Sequence, residues 1–272
     1  MDMPCLRQGG HANVTIATLP PRATRAAKPR LAIARDRYHR YTHEGVVYRG
    51  TTSIIGVLDK SDALMPWAAK QTATAAVGLV NELPAMLAAM GPDGVISALT
   101  KRSAWERDKA ADIGSSIHEW ADRIALGEAT EAVPADIRER VEAYAYWWVA
   151  SGWKRRLTEA CVVSTSMGYG GTLDILAFDE HGRTVLGDVK SGRNVYAETK
   201  LQLAAYGMAE LIAPPGSEVA YPMPKVDRYV VIHVTDAGVR PVEVDVTDED
   251  RDAFRACIVL DRWRESRGKE RL

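Results

Sequence analysis

Three charged residues occur in segments whose other residues are typical of buried β-strands. Asp188 and Lys190 are two residues apart in TVLGDVKSG, and Asp174 lies in GTLDILAF. Charged side chains are rarely buried unless they are paired or bind a metal ion. Because side chains alternate along a strand, Asp188 and Lys190 project to the same side, with their backbones roughly 6.6 Å apart. This spacing suits a carboxylate that holds a cation beside an ammonium group that reaches the same ligand.

Asp174 adds a second carboxylate if its strand pairs with the Asp188 strand through the short turn DEHG. Two carboxylates that are forced together repel each other unless a proton or a metal ion relieves the repulsion. Oxygen ligands of this kind favour Mg²⁺ or Mn²⁺. An exposed ion pair at a sheet edge explains Asp188 and Lys190 equally well on their own, but the third charge favours a metal site.

Two further candidates lie on predicted helices. Gln202 and Tyr206 are four residues apart, so they share one face of their helix beside an apolar stripe. The alternative for this pair is the ordinary polar border of an amphipathic helix. His118 aligns with Gly114 and Ala121, whose small size would let another element approach. The alternative for His118 is a structural histidine, and each alternative is favoured when its residues are taken alone.

The elements that must position these residues change in character near residue 157. Residues 1–30, which include ATLPPRATRAAKPR, predict a flexible, basic and proline-rich tail. Residues 31–156 predict a mainly helical part that includes the His118 helix. Residues 157–272 predict the sheet-containing core. We therefore expect one domain over residues 31–272, of the α/β class, with a central mixed β-sheet flanked by helices and a mostly helical N-terminal half.

Turn residues and caps define the expected boundaries of several elements. GYGG before the Asp174 strand predicts a turn, and Pro214 with Pro215 ends a helix predicted over 197–212. Thr247, which precedes DED, predicts the N-cap of the last helix. Gly152 predicts the end of the last helix in the N-terminal half.

Composition restricts the classes of function. The chain has 272 residues and a formal net charge of −1, which excludes a uniformly basic coat but not a local basic groove. The three cysteines, Cys5, Cys161 and Cys257, are dispersed, which argues against a disulfide framework or a cysteine-rich metal site. No apolar run approaches a membrane span and no apolar signal core begins the chain, so we expect a cytoplasmic protein with no membrane partner.

Two other groups of residues could contact nucleic acid. The N-terminal part carries basic residues that suit either a DNA contact or a solvated tail: Arg22, Arg25, Lys28, Arg30, Arg35, Arg37 and Arg40. Trp147, Trp148 and Trp153 could stack on bases, but their spacing favours packing in the core.

The motifs, in their order and spacing, resemble those of the PD-(D/E)XK nuclease superfamily. GYGGTLDILAF, TVLGDVKSG and LQLAAYGMA match a G-x-x-D strand, a D/E-x-K strand and a Q-x-x-x-Y helix, and a helical histidine lies upstream. The combination is similar to the RecB-like exonuclease branch, which includes phage recombination exonucleases and CRISPR-associated RecB-like nucleases. The match covers about residues 112–210.

The resemblance implies a restriction-endonuclease-like core and a metal-dependent deoxyribonuclease, with an exonuclease favoured over an endonuclease. The implied catalytic residues are Asp174, Asp188, Lys190, Gln202 and Tyr206. The implied ligands of Mg²⁺ or Mn²⁺ are His118, Asp174, Asp188 and the carbonyl oxygen of Val189. Ser191 and Arg193 would lie close enough to touch a phosphate of the DNA, and Glu159 would support the site.

The implied partners are DNA and a recombination protein such as a single-strand annealing protein, in phage or bacterial recombination and repair. Several relatives hold an iron–sulfur cluster through four cysteines, but this chain has three, so no cluster is expected. No GxxxxGK[ST] motif occurs, so ATP is not expected as a cofactor. The alternatives are an endonuclease of the same fold and an inactive DNA-binding or assembly protein. The sequence indicates no oligomeric state.

Overall fold

A computed structural model describes residues 30–128 and 132–267. The predicted tail, residues 1–30, lies outside the described residues except for its last position, and so do Arg22, Arg25 and Lys28. Within the described ranges, helices and one mixed β-sheet form an α/β structure. The predicted α/β class with a central mixed sheet is confirmed.

The described residues contain eleven strands and six helices. The strands are β1 (Arg30–Leu31), β2 (Ala34–Arg35), β3 (Tyr41–His43), β4 (Val46–Gly50), β5 (Lys154–Ser164), β6 (Tyr169–Phe178), β7 (Thr184–Lys190), β8 (Leu211–Ala213), β9 (Val219–Pro222), β10 (Arg228–Thr235) and β11 (Gly238–Val244). The helices are α1 (Thr51–Ile55), α2 (Ser61–Gly78), α3 (Leu83–Ala125), α4 (Arg138–Ala150), α5 (Glu198–Gly207) and α6 (Asp248–Arg267).

The centre of the sheet is formed by the strands that carry the charged residues. β6 pairs with β5 and with β7 in antiparallel fashion, so the predicted hairpin is confirmed. β7 pairs in parallel with β10, which in turn forms an antiparallel hairpin with β11. The last pair in the β6–β7 register is Ile175 with Gly187, which brings Asp174 opposite Asp188 where the ladder ends.

Apolar side chains cover both faces of these strands. Ile175 and Val189 belong to a buried cluster with residues of α3 and α4. Leu176 and Leu186 project to the other face and pack with Leu203 of α5. Because Asp188 and Lys190 alternate with Val189, they share the face that α5 covers. The core therefore positions α5 directly over the two charged residues.

Two predicted boundaries were wrong. GYGG does not form a turn, because Tyr169 already begins β6 and the turn lies over 165–168. Gly170 and Gly171 serve close packing instead, since an added Cβ would lie 2.6 Å from the Tyr41 side chain and 2.4 Å from Cε1 of Tyr206, respectively. Strand pairing thus decides the conformation of a segment whose residue types favour a turn.

The helix predicted over 197–212 ends earlier, at Gly207. Leu211–Ala213 forms β8, which pairs with β5, so sheet pairing overrides the helical pattern there.

The two predicted caps are confirmed. Thr247 Oγ1 accepts the Asp250 N–H at 3.3 Å while Asp250 Oδ2 accepts the Thr247 N–H at 2.8 Å, and Gly152 has a φ of 66° just after α4.

The tryptophans near the end of α4 pack as predicted. The ring centroids of Trp147 and Trp153 are 5.3 Å apart, and those of Trp148 and Trp153 are 6.4 Å apart. All three rings lie against the buried cluster that contains Tyr144. Packing therefore accounts for these residues.

α2 and the first part of α3 differ from the rest of the structure, and we call residues 61–112 the helical arm. No residue of α2 is buried, and the backbone of α3 breaks at Gly91, which has a φ of 69°. Contrary to the expectation that no apolar run approaches a membrane span, the helix Leu83–Ala125 is long and apolar enough to cross a membrane, and 6% of its most apolar window is buried. Length and composition do not distinguish a helix that spans a membrane from one that packs against protein.

Candidate active site

Asp174 lies where the pairing of β6 and β7 ends. Its Oδ2 accepts a hydrogen bond from the Val189 N–H at 2.7 Å and lies 3.3 Å from Nδ1 of His118. The His118 contact requires α3 to come close to the end of β7. A Cβ added at Gly114 would lie 3.3 Å from Oγ of Ser191, so the helix and the end of β7 are in close contact there.

Asp188 is almost fully buried, with 1% of its side chain exposed, and it forms an ion pair with Lys190. Nζ of Lys190 lies 2.6 Å from Oδ2 of Asp188. Oδ1 of Asp188, by contrast, is buried and has no hydrogen-bond partner among the described residues. This burial excludes the exposed edge pair as an explanation of the two charges.

The predicted helix pair completes a chain of polar contacts behind Lys190. Nζ of Lys190 donates to Oε1 of Gln202 at 3.3 Å, and Nε2 of Gln202 donates to the Tyr206 hydroxyl at 2.9 Å. The Tyr206 ring lies against Gly171, where a Cβ would leave no space. Gln202 and Tyr206 therefore belong to one polar network with Lys190.

The two aspartates have opposite pKa shifts although they face each other. Burial and the charge of Asp174 raise the pKa of Asp188 to about 6, against the effect of the Lys190 ammonium. Burial also disfavours the ionised form of Asp174, but the charges of His118 and Lys190 outweigh it and lower its pKa. Because two facing carboxylates repel each other, we expect the first proton to be held by Asp188.

The pKa values of both basic side chains, Lys190 and His118, are raised. Burial lowers the pKa of Lys190, but the carboxylates of Asp188 and Asp174 outweigh this effect and raise it. In His118 burial again acts against the charge, and the carboxylate of Asp174 raises the pKa above its ordinary value. Lys190 is thus a stable ammonium group at neutral pH.

Glu159 has an unusual backbone at the position opposite Asp174 in β5. Its φ is 48°, and the ladder between β5 and β6 is interrupted between Thr158 and Ala160. A non-glycine residue in this region costs of order 1–3 kcal/mol, and such strain is concentrated at functional sites. Burial and the charge of Asp174 raise the pKa of Glu159 to about 7.

One group of potential metal ligands meets in the described part of the chain. One ligand atom from each of His118, Glu159 and Asp174 lies within 4.8 Å of the other two. The set expected from the resemblance had Asp188 and Val189 where this group has Glu159. The structure holds Asp188 by its ion pair with Lys190, and Val189 takes part through its N–H.

Sequence reasoning missed two polar residues beside this group. Oδ1 of Asp122 and the hydroxyl of Tyr144 are buried and have no hydrogen-bond partner among the described residues. The charge of Asp122 contributes to the raised pKa of Glu159, and together with burial and Asp174 it also raises the pKa of Tyr144. The spacing of four residues between His118 and Asp122 could have indicated that both lie on one helix face.

The two predicted phosphate contacts, Ser191 and Arg193, lie in different places. Ser191 directly follows β7 and is partly exposed, whereas Arg193 is exposed and lines a neighbouring groove rather than the site. The predicted site residues from His118 to Tyr206 otherwise converge on one region of the sheet.

Compared with known protein families and with curated proteins, the chain matches none. The resemblance to the PD-(D/E)XK nucleases therefore depends on the motifs and on the chemistry of the site they form.

Proposed function

We propose that the protein is a metal-dependent deoxyribonuclease with a restriction-endonuclease-like core, an exonuclease of the RecB-like type. It would hydrolyse phosphodiester bonds of DNA in phage or bacterial recombination or repair, in the cytoplasm. The observation that carries the proposal is the buried Asp188, which lies opposite Asp174 and whose Oδ1 has no hydrogen-bond partner among the described residues, although Oδ2 is paired with Lys190. A buried polar atom without a partner is costly and two facing carboxylates repel each other, and a cation would offset both costs.

The donor set fits a divalent cation. His118, Glu159 and Asp174 would hold it, with Asp188 on the adjacent strand, and oxygen donors dominate, as Mg²⁺ and Mn²⁺ prefer. When bound, the ion would supply Lewis-acid polarisation of a phosphate oxygen and a lower pKa for a bound water.

The chain's own residues would contribute electrostatic stabilisation. The Lys190 ammonium would stabilise negative charge that develops on the phosphate, because it is partly buried and stays protonated. Gln202 would orient it through the hydrogen bond from Nζ.

The decisive experiment is digestion of end-labelled single- and double-stranded DNA with Mg²⁺, with Mn²⁺ and with a chelator. An exonuclease should degrade linear DNA and leave closed circles intact, whereas an endonuclease would open the circles.

Lys190→Ala should lower cleavage by about 100-fold or more while the circular dichroism spectrum is retained. Lys101→Ala, on the exposed surface of the helical arm, is the control and should cleave normally. Undiminished cleavage by Lys190→Ala would refute the proposed role of the site.

Thermal unfolding separates the enzyme from the inactive DNA-binding alternative. A ligand that binds only the folded state raises stability by RT ln(1 + [L]/Kd). We expect Mg²⁺ or Mn²⁺ to raise the melting temperature of the wild type but not of a double variant, Asp174→Asn with Glu159→Gln. No shift in the wild type would favour the inactive alternative.

A further inference from the structure

A groove of about 500 Å³ opens beside the candidate site, between the start of α5 and the strands β10 and β11. The charged and aromatic residues that line it are Arg193, Tyr196, Lys200, His233, Arg240, Glu243 and Asp245. This volume is in the range of pockets that take a small organic ligand, so it suits a nucleotide-sized unit rather than a whole duplex.

The groove is connected to the site through the register of three strands. Lys190 of β7 pairs with His233 of β10, and His233 pairs with Arg240 of β11. Cross-strand partners project to the same face, and adjacent strands are about 4.8 Å apart. Lys190, His233 and Arg240 therefore form a row across the sheet that leads away from the site over roughly 10 Å.

His233 fixes the loop that separates the site from the groove. It is 7% exposed, and its Nε2 donates to the carbonyl oxygen of Gly192 at 2.7 Å. The loop that begins with Ser191 and Gly192 is thus tied to β10, and Arg193 follows at the wall of the groove.

Cationic groups are in excess in the groove. Neither Arg193 nor Arg240 forms an ion pair within residues 30–128 and 132–267, and both are exposed. Lys200 donates from Nζ to the backbone carbonyl oxygen of Asp245 at 3.2 Å. Of the two acidic residues, Glu243 is already paired, since its Oε2 lies 2.6 Å from Nη2 of Arg228. The three cations Arg193, Lys200 and Arg240 outnumber the one remaining carboxylate, that of Asp245, so the balance of charge favours an anionic ligand.

Tyr196 adds an aromatic surface to these cations. It is 60% exposed and lies in the loop before α5. Cations that contact phosphates beside an aromatic ring on which a base stacks are the combination that binds single-stranded nucleic acid. A paired duplex keeps its bases stacked on one another, so this ring would be of use only with an unpaired strand.

We propose that the groove binds a single-stranded nucleic-acid segment next to the scissile phosphate, with Arg193, Lys200 and Arg240 on phosphates and Tyr196 under a base. This inference rests on the proposed nuclease function, and it adds a binding surface and a strand preference.

The first test measures binding without cleavage. Full-length protein is titrated against a fluorescent single strand of about 12 nucleotides in EDTA over a series of salt concentrations. Replacing three cations together, Arg193→Gln, Lys200→Gln and Arg240→Gln, should weaken binding about tenfold or more. It should also reduce the slope of log K against log salt by about 2, at about 0.7 per phosphate contact.

A matched variant controls for the lost charge. Lys70→Gln, Lys101→Gln and Lys154→Gln remove three exposed cations outside the groove and should keep the wild-type slope. Equal slopes in the two triple variants, or no binding by the wild type, would overturn the proposal.

The second test concerns the base. Tyr196→Ala should weaken binding about tenfold without a change in salt slope, whereas Tyr196→Phe should bind like the wild type. With an abasic strand, wild type and Tyr196→Ala should bind equally. A blunt duplex that binds as tightly as the single strand, with the same dependence on Arg193 and Arg240, would overturn the strand preference.

The cleavage assay would reveal a failure of the proposed nuclease function separately from a failure of the proposed groove. In that case the wild type would not cleave labelled DNA with Mg²⁺ or Mn²⁺, while binding in EDTA would still decide the role of the groove.

Discussion

The strands that carry the candidate site and the helical arm bury their side chains to very different extents. Six consecutive residues of β7, positions 184–189, are buried, whereas no residue of α2 is. Residues 71–100 of the arm carry only two charged residues, Glu82 and Asp93, so this part of the arm is largely apolar. It nevertheless lies mostly at the surface. In the strands, by contrast, charged groups are buried. Each region breaks the usual distribution of polar and apolar residues, but in opposite directions.

This difference shows where sequence-to-structure reasoning is well constrained. A buried charge must have a compensating group within a few ångströms, so Asp188 leads directly to Lys190. An exposed apolar helix carries no such requirement within its own fold. The two regions should therefore respond differently to matched substitutions.

The largest difference should appear on truncation of leucine. Leu186→Ala, at a position with 0% exposure in β7, should lower the free energy of unfolding by about 2–5 kcal/mol, because it leaves a cavity in a packed core. Leu87→Ala, at a position 46% exposed on the arm, should change it by about 0.5 kcal/mol or less. Urea unfolding followed by circular dichroism measures both, and similar losses would show that the arm is packed in solution.

Glycine substitutions should give the next largest effect. A Cβ at Gly171 would lie 2.4 Å from Cε1 of Tyr206, so Gly171→Ala should cost about 1–3 kcal/mol and also displace the tyrosine behind Lys190. Gly78, near the end of α2, has no atom within 4 Å of an added Cβ. Gly78→Ala should therefore be neutral or stabilise the protein by up to about 1 kcal/mol, because alanine favours helix.

The same experiment has a functional readout. Gly171→Ala should lower DNA cleavage even at temperatures where the variant remains folded, whereas Gly78→Ala should cleave like the wild type. Full cleavage by folded Gly171→Ala would show that the position of Tyr206 does not matter for the site.

Much of the fold followed from local pattern, and the exceptions have a common cause. The β6–β7 hairpin, the Thr247 cap and the packing of the α4 tryptophans were predicted correctly because neighbouring residues determine them. The GYGG turn and the end of α5 were wrong because distant elements determine them. Pairing with β5 holds Gly170 and Gly171 in a strand, and β5 also draws Leu211–Ala213 into the sheet. Such contacts are not visible in one segment.

The site shows the same division. Alternation along β7 was sufficient to place Asp188 and Lys190 on one face, and helical spacing placed Gln202 with Tyr206. The position of Glu159 depends on a left-handed residue inside a strand, which no residue pattern indicates. Asp122 becomes part of the site only when α3 comes close to the sheet.

The raised pKa values of Glu159 and Asp188 should make the free energy of unfolding depend on pH. The folded-state pKa of Glu159 is raised to about 7, so between the ordinary carboxyl range and pH 7 the native state binds more protons than the unfolded state. Stability should therefore fall as pH rises through this window. Asp188, with a pKa raised to about 6, acts in the same direction.

Unfolding in urea with a chelator at pH 5, 6, 7 and 8 measures this slope. We expect Glu159→Gln to reduce the loss of stability between pH 5 and 7 by about 1 kcal/mol. One proton of difference between the native and unfolded states corresponds to about 1.4 kcal/mol per pH unit, and because Glu159 and Asp174 interact, Glu159 accounts for only part of that difference. If the wild type and Glu159→Gln gave parallel curves, Glu159 would not titrate in this window.

The smallest effect should come from an ion pair on the arm. Nη2 of Arg102 lies 2.9 Å from Oε1 of Glu106, with both side chains partly exposed, whereas the pair of Lys190 with Asp188 is buried on its acidic side. Exposed helical pairs contribute at most about 0.5 kcal/mol, and the arginine here precedes the glutamate, which is the less favourable order. Glu106→Gln should therefore cost at most about 0.5 kcal/mol, and the cost should disappear in about 1 M salt because the charges are screened. A cost that persists in salt would place this pair in a desolvated environment, and the contrast between arm and sheet would then not extend to charged groups.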